Sequence, residues 1–371
     1  MKAYLTYFGY FGWLLLLAYV QRQVPRLVTK QEHIQNKTVT RYNWFFAVLA
    51  VAPLVYLTAT RGYIGDTGNY RKSFMNSPTS FSAIPSYIQT IRKDRAYYAF
   101  AAAMHTILGN RPVVYFGIVA IIQVVCMTKT LRKYTPYLLT AFFIFVASSD
   151  CLSYMYNGIR QFIAVCIIFA FSDWIFQKKY VLAVLAVIVA AQFHQSALLM
   201  LPVIFIVQGK PWNKSTVFFM FIALAAVFFV DRFTDILDSL LSETQYSNVV
   251  SDWTSWSDNG TNPLRVLVYC VPMIGSLICL PYIREADDPM INVCVNMSVI
   301  TAGLYLISMV TSGVFIGRLP IYTALYSNCI LLPWEIEHSF SKDSAKLLRF
   351  VMILAFLFFY YYQLHFTWSM V

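Results

Sequence analysis

Twelve apolar runs, parted by short polar or Pro/Gly breaks, fill most of this 371-residue chain and leave it one solvent to fold in. They lie near 4–20, 43–60, 112–128, 136–149, 158–176, 180–193, 196–208, 215–230, 264–283, 289–310, 319–334 and 347–366. A helix needs about 20 apolar residues to cross hydrocarbon, where every backbone polar group must bond within its own segment. Composition points the same way. Residues are 59% hydrophobic and 12% charged, whereas a soluble domain carries about 25% charge. So few charges cannot surround a core of this size, which excludes a water-soluble enzyme. The expected fold is all-α, a polytopic integral membrane protein of about twelve transmembrane helices. A single membrane domain, 1–371, would carry two larger external segments, 61–111 and 231–263. Only Lys2 precedes the first run and no small-residue cleavage pattern follows it, which predicts an uncleaved helix rather than a signal peptide.

The 28 Lys and Arg against 17 Asp and Glu give +11, an excess expected of cytoplasmic loops. There is no basic low-complexity tail, so nothing indicates nucleic acid. All seven cysteines except Cys151 lie in apolar runs, without CxxC or Cys/His spacing, so neither a disulfide framework nor a structural zinc site is indicated. After the first helix, Arg22, Arg26, Lys30, Lys37 and Arg41 face a single Glu32, with Lys2 alone on the other side. The N-terminus is therefore expected outside. Alternation from there puts 16 basic residues inside and 12 outside. Seven of the twelve (Arg61, Arg71, Lys72, Arg92, Lys93, Arg95 and Arg111) fall in 61–111 and break the positive-inside trend in that one place. A crossing at Ala96–Leu108 would flip everything downstream, but its 13 residues are short. An interfacial or re-entrant helix is expected instead.

In 231–263, Asp231, Asp235, Asp238, Glu243, Asp252 and Asp258 face only Arg232. Asp231, Asp235 and Asp238 recur opposite Leu237, Leu240 and Leu241, which suits a helix lying on the membrane surface.

Four motifs carry possible chemistry. RGYIGDTGNY, from Arg61 to Tyr70, has glycines at 62, 65 and 68. Such a turn can present N–H groups to an anion, with Arg61 and Arg71 adding charge. A flexible helix exit with snorkelling arginines explains the same residues equally well. In YMYNGIRQ, Asn157, Arg160 and Gln161 share one helical face. An arginine at the membrane centre costs about 2.5 to 3.5 kcal/mol, which favours function, although a structural pair with Asp150 competes. His194, in FHQS, is expected near the outer face; a lone histidine is more often structural. GVFIGRLPIY brings Arg318 to a helix end, where interface snorkelling is the bland explanation. Asp94 stands in a basic cluster that could depress its pKa or simply salt-bridge it. Asp66 is the favoured functional acid. Arginines, acids and a histidine from distant segments thus converge on one predicted face, which suggests an anionic ligand. No DxD on that side and no HExxH anywhere calls for a divalent metal.

RGYIGDTGNYRKSF (Arg61–Phe74), NGIRQFIAVCIIFAF (Asn157–Phe171), KKY followed by AAQFHQSALLMLP (Lys178–Pro202) and GRLPIY (Gly317–Tyr322) resemble, in order and spacing, the EpsG family. These are Wzy-type polymerases of bacterial exopolysaccharide, capsule and O-antigen repeat units. The resemblance runs from about residue 40 to 335 and is most specific at the IRQ block and the later FH. The 231–263 segment matches no family pattern.

The resemblance implies a multi-pass enzyme of the bacterial cytoplasmic (inner) membrane with an extracytoplasmic active face. It joins undecaprenyl-pyrophosphate-linked oligosaccharides by glycosyl transfer, with membrane lipid and a chain-length regulator as partners and no cofactor. On that implication Arg61, Arg160 and Arg318 hold the pyrophosphate, Asp66 is the first choice of base and His194 the second. Tyr70, Asn157, Gln161 and Tyr322 contact substrate. Tyr70, Tyr154, Tyr156, Trp253 and Trp256 could stack on sugars, although a membrane aromatic belt accounts for them equally. A transporter or flippase of lipid-linked sugars is the rival class, for which matched halves would be expected; none is visible. An O-antigen ligase, or a scaffold indifferent to these arginines, are the remaining alternatives.

Overall fold

The computed structural model describes residues 2–34, 37–148, 150–241 and 258–367. Glu243, Asp252, Trp253 and Trp256 lie outside the described residues. Each of the twelve apolar runs is helical in its described part, and the chain divides into two compact units, Met1–Leu198 with Leu347–Val371, and Leu199–Lys346.

In the first unit, α1 (Lys2–Gln23) leads through a short turn to an antiparallel hairpin, β1 (Thr29–Ile34) and β2 (Lys37–Tyr42), with Thr29 opposite Tyr42. Asn43 caps α2 (Trp44–Ala59) by accepting the Phe46 N–H at 2.7 Å. Pro53 lies inside α2 and has no N–H to give the Leu49 carbonyl one turn earlier. The Trp13 indole N–H of α1 bonds that carbonyl instead, at 3.0 Å.

Next come α3 (Thr67–Met75), α4 (Arg95–Leu108), α5 (Pro112–Tyr134), α6 (Leu138–Ala147), α7 (Asp150–Tyr156), α8 (Ile159–Ala170) and α9 (Tyr180–Phe193). Tyr70, Phe74, Tyr97, Tyr115, Phe116 and Ile159 share one buried cluster that ties α3, α4, α5 and α8 together. Phe74 stacks on Tyr115 at 4.3 Å, and the Tyr115 hydroxyl donates to that of Tyr97 at 2.9 Å. At 14 residues, α4 is about 21 Å long, short of the hydrocarbon thickness. It buries one face, through Tyr97, Ala101, Ala102 and His105.

In the second unit, Asn213 caps α10 (Lys214–Phe228), and α11 (Val230–Leu241) turns away from it by 110°. The expected amphipathic helix therefore forms and runs sideways. It is followed by α12 (Pro263–Ile278), α13 (Leu280–Ala286) and α14 (Pro289–Val310), the last buried along most of its length. Asn296 of α14 donates to the carbonyls of Val207 and Lys210, both at 3.0 Å. Ile321–His338 is helical throughout, with a wider π-helical stretch at Leu325–Leu331. The final helix, α15 (Lys342–Tyr362), runs from this unit into the first.

The all-α membrane fold is present, but twelve crossings are not confirmed. Three helical stretches among the described residues are long and apolar enough to cross a membrane: Pro112–Tyr134, Pro289–Val310 and Lys342–Thr367. The number rises to six if α6 with α7, α10 with α11 and α12 with α13 each make one bent span. Trp44–Ala59, Ile159–Ala170, Tyr180–Phe193 and Gln195–Ile206 are apolar but shorter, at 10–17 residues. The difference is physical: composition marks an apolar run, but bends within it decide whether it reaches across.

Candidate active site

The glycine-containing turn after α2 folds back on the end of α7. Arg61 is 6% exposed and gives one Nη1 hydrogen to the Met155 carbonyl, with its guanidinium 3.9 Å from the centroid of the Phe116 ring. Its Nε and Nη2 are buried without a hydrogen-bond partner. Burial pulls its pKa down to about 10, so it stays cationic at neutral pH.

Gly65 has φ +50°, and a Cβ there would sit 2.9 Å from the Asn157 Cγ. The Asn157 side-chain oxygen accepts the Asp66 N–H at 3.2 Å. The 61–70 turn and the NGIRQ motif are thus one latched piece. The N–H groups of Ile64, Thr67 and Tyr70 bond to Gly62, Ile64 and Asp66 carbonyls. Along with that of Asp66, these donors are committed within the protein rather than presented to an anion. Asp66 itself is half-buried at the start of α3, and its side chain makes no capping bond.

A second cluster draws on three distant segments. Arg160, in the first turn of α8, gives Nη1 to Asp94 Oδ2 at 2.8 Å, and the same nitrogen lies 3.4 Å from the Tyr98 hydroxyl. The Tyr70 hydroxyl also hydrogen-bonds Arg160. Asp94 Oδ1 accepts the Gln195 N–H at 3.3 Å and lies 3.9 Å from Nδ1 of His194, which ends α9 in extended conformation. Asp94 precedes α4 in a left-handed conformation, φ 58° and ψ 38°, and its side chain is 2% exposed. Burial pushes its pKa up; Arg160, the Gln195 N–H and Lys93 oppose this, and the net direction is upward. The basic neighbours, which alone would depress it, are outweighed. Arg160 pairs with Asp94, a role the sequence had suggested for Asp150.

Beside this cluster opens a cleft of about 350 Å³. Arg92, Lys93, Asp94, Arg95, Gln192 and Gln195 line it, together with apolar residues of and after α9. Three of the seven cations that broke the positive-inside trend therefore surround one cavity. Gln161 is buried next to Arg160 in α8. Arg318 and Tyr322 belong to the second unit, Arg318 half-buried in a single turn and Tyr322 buried.

In that unit Asp258 holds the GVFIGRLPIY loop. It accepts the Ser312 hydroxyl at 2.6 Å and the N–H groups of Val314, Gly313 and Gly260 at 2.9, 3.0 and 3.1 Å. Burial pushes its carboxyl up, but these four bonds together leave it below the usual carboxylate range. Gly260 has φ +82°, and a Cβ there would collide with the Met309 carbonyl. In the sequence Asp258 is only one of six acids, because a latch made through backbone N–H groups leaves no pattern in residue identity. Among the described residues, no cluster of His, Cys, Asp or Glu could hold a metal ion.

The apolar helices mark an all-α membrane protein, and its first unit carries a cleft lined by basic residues. The chain belongs to the EpsG family, whose model matches residues 43–369. That is a Wzy-type polysaccharide polymerase-like family, and membership gives this protein a polymerase-like role in polysaccharide biosynthesis. No curated protein and no solved structure matches it.

Proposed function

We propose that the protein joins undecaprenyl-pyrophosphate-linked oligosaccharide repeat units at the extracytoplasmic face of the bacterial cytoplasmic membrane. A hydroxyl of one unit attacks the anomeric carbon of another. The new C–O bond forms as the bond to pyrophosphate breaks, and that electron pair leaves with the pyrophosphate. The hydroxyl proton goes to a base, and the leaving group gains charge that fixed cations stabilise. One observation carries the reading: Asp94, Arg160 and His194, from segments far apart in sequence, meet beside a cation-lined cleft.

On this reading His194 takes the proton, and the Asp94 carboxylate 3.9 Å from its Nδ1 favours its charged form. Asp66 becomes the second choice, because its backbone is latched to Asn157 and it belongs to the other cluster. Arg160 supplies positive charge beside the cleft, Arg61 offers two unpartnered donors in the Asp66 cluster, and Arg318 is a candidate cation of the second unit. Tyr70 steadies Arg160 and Asn157 holds the turn, while Gln161 and Tyr322 are retained as substrate contacts. A chain-length regulator is the expected protein partner, and no cofactor takes part.

The test is polymerisation by purified protein of lipid-pyrophosphate-linked repeat units, resolved by product length. Wild type should give a ladder, and a folded Arg160→Ala variant should slow it by about 10²- to 10³-fold, as expected for a lost transition-state donor. Substrate that crosses vesicle membranes without elongating would replace this reading with a transporter.

A further inference from the structure

Helices α2 and α5 of the first unit part to leave an apolar groove. They run antiparallel and approach at two places. At one, a Cβ added to Gly117 would lie 3.5 Å from the Ala59 Cβ; at the other, the Arg132 guanidinium lies 5.0 Å from the centroid of the Trp44 ring. A cavity of about 260 Å³ lies between the helices, with Trp44, Val48, Val55, Ile121, Val125 and Thr128 in its lining. Val48, Ile121 and Val125 are about half exposed, so the groove opens outward, where a membrane protein meets hydrocarbon.

Two polar features set it apart from ordinary lipid-facing surface. Thr128 lines the groove and is buried, and its hydroxyl makes no hydrogen bond, although a helical threonine can turn to the carbonyl one turn back. A buried hydroxyl left so is costly, and a bound acceptor removes the cost. Arg132 stands one turn further along α5, about 6 Å on, and gives its Nε to the Tyr42 carbonyl, which fixes the guanidinium beside Trp44. Lys129, Arg132 and Lys133 all fall in the last turns of α5, where Asp173 pairs with Lys133 at 2.6 Å. The excess of positive charge suits an anionic headgroup.

We propose that this groove binds one anionic phospholipid: an acyl chain lies along Val48, Val55, Ile121 and Val125, an ester carbonyl accepts the Thr128 hydroxyl, and the phosphate sits beside Arg132 and Trp44. The donor at Thr128 selects against a polyprenyl phosphate, whose chain carries no carbonyl before its phosphate. Trp44 is at the opposite end of α2 from the Arg61 turn, about 24 Å away over 16 residues. The site stands whether or not the protein is a polymerase.

The test titrates the purified full chain in detergent with phosphatidylglycerol, phosphatidylcholine or undecaprenyl phosphate and reads bound lipid by native mass spectrometry. Wild type should hold one phosphatidylglycerol at least about tenfold more tightly than either other lipid, since charge-assisted contacts are the strong ones. Ala52→Trp fills the groove from an exposed lining position and should abolish that tight binding. Thr128→Val should weaken it about fivefold, the share of one neutral hydrogen bond, and Arg132→Gln should remove the preference over phosphatidylcholine. Thermal unfolding checks each variant, and Thr128→Val, which exchanges a hydroxyl for a methyl, decides alone if the other two do not fold.

The site is overturned if wild type holds no tight phosphatidylglycerol or takes phosphatidylcholine equally well, or if any folded variant binds as wild type does. Undecaprenyl phosphate binding as tightly as phosphatidylglycerol overturns it in favour of a carrier-lipid groove. Ala52→Trp that keeps the lipid but loses a wild-type dimer overturns it in favour of a contact between two copies of the chain.

Discussion

Asp94 is held where its charge works against the fold and for the chemistry. Its folded pKa is raised by burial, so it withdraws stability as pH rises through that value. Its service to His194 and Arg160 needs the ionised form and grows over the same window. Activity should therefore fall on the acid side with a midpoint above the ordinary carboxylate range. Asp94→Asn should remove that limb from the pH–rate profile and lower the plateau by about 10²-fold or more. A limb that persists unchanged would assign it to another group. Gly65→Ala should destabilise by about 1–3 kcal/mol in thermal unfolding, from its left-handed backbone and the Asn157 clash together. In an Asn157→Ala background only the backbone part should remain. At this scale the sequence showed the residue types but not the pairing. Asp66 stood out because glycines surround it and Asp94 receded among lysines and arginines, yet burial and the approach of α8 and α9 chose Asp94.

The helices themselves were more legible, because an apolar run in lipid has almost no alternative to helix. In their described parts all twelve runs fold that way, and the amphipathic spacing of Asp231, Asp235 and Asp238 marked α11 as a helix. Two things escaped. Strands β1 and β2 lie where the sequence offers only a basic loop, and the sharp bends between α6 and α7, at 229 and at 279 fall within or at the edges of apolar stretches, where hydropathy has no contrast. The Trp13 bond to Leu49 is testable at this scale. Trp13→Phe should cost about 1 kcal/mol by leaving a partly buried carbonyl unmet. In a Pro53→Ala background the same substitution should cost clearly less, because the restored N–H at position 53 can take that carbonyl. A double-mutant cycle by thermal unfolding reads the difference.

Across the whole molecule, the family blocks recognised from about residue 40 agree with the match over 43–369. The two compact units were not foreseen, because long-range packing has no local signature. Orientation is open to direct labelling: cysteines introduced near Asp66 should react with an impermeant thiol reagent in whole cells, or in spheroplasts where an outer membrane intervenes, and cysteines near Gln35 should not. The reverse pattern would invert the topology and move the site to the cytoplasm. In the second unit the Asp258 carboxyl is depressed, so its stabilising bonds are fully present above the ordinary carboxylate pKa and disappear as pH falls through the lower folded value. Asp258→Asn should remove that part of the acid dependence of unfolding.

The proline in α2 also bears on how the chain is made. Trp13 precedes Leu49 by 36 residues, so during synthesis the indole donor leaves the ribosome before the carbonyl that needs it. When α2 forms, its missing hydrogen-bond donor is already made. Moving α1 to the far end of the chain by circular permutation would reverse that order and leave the Leu49 carbonyl without a donor until translation ended.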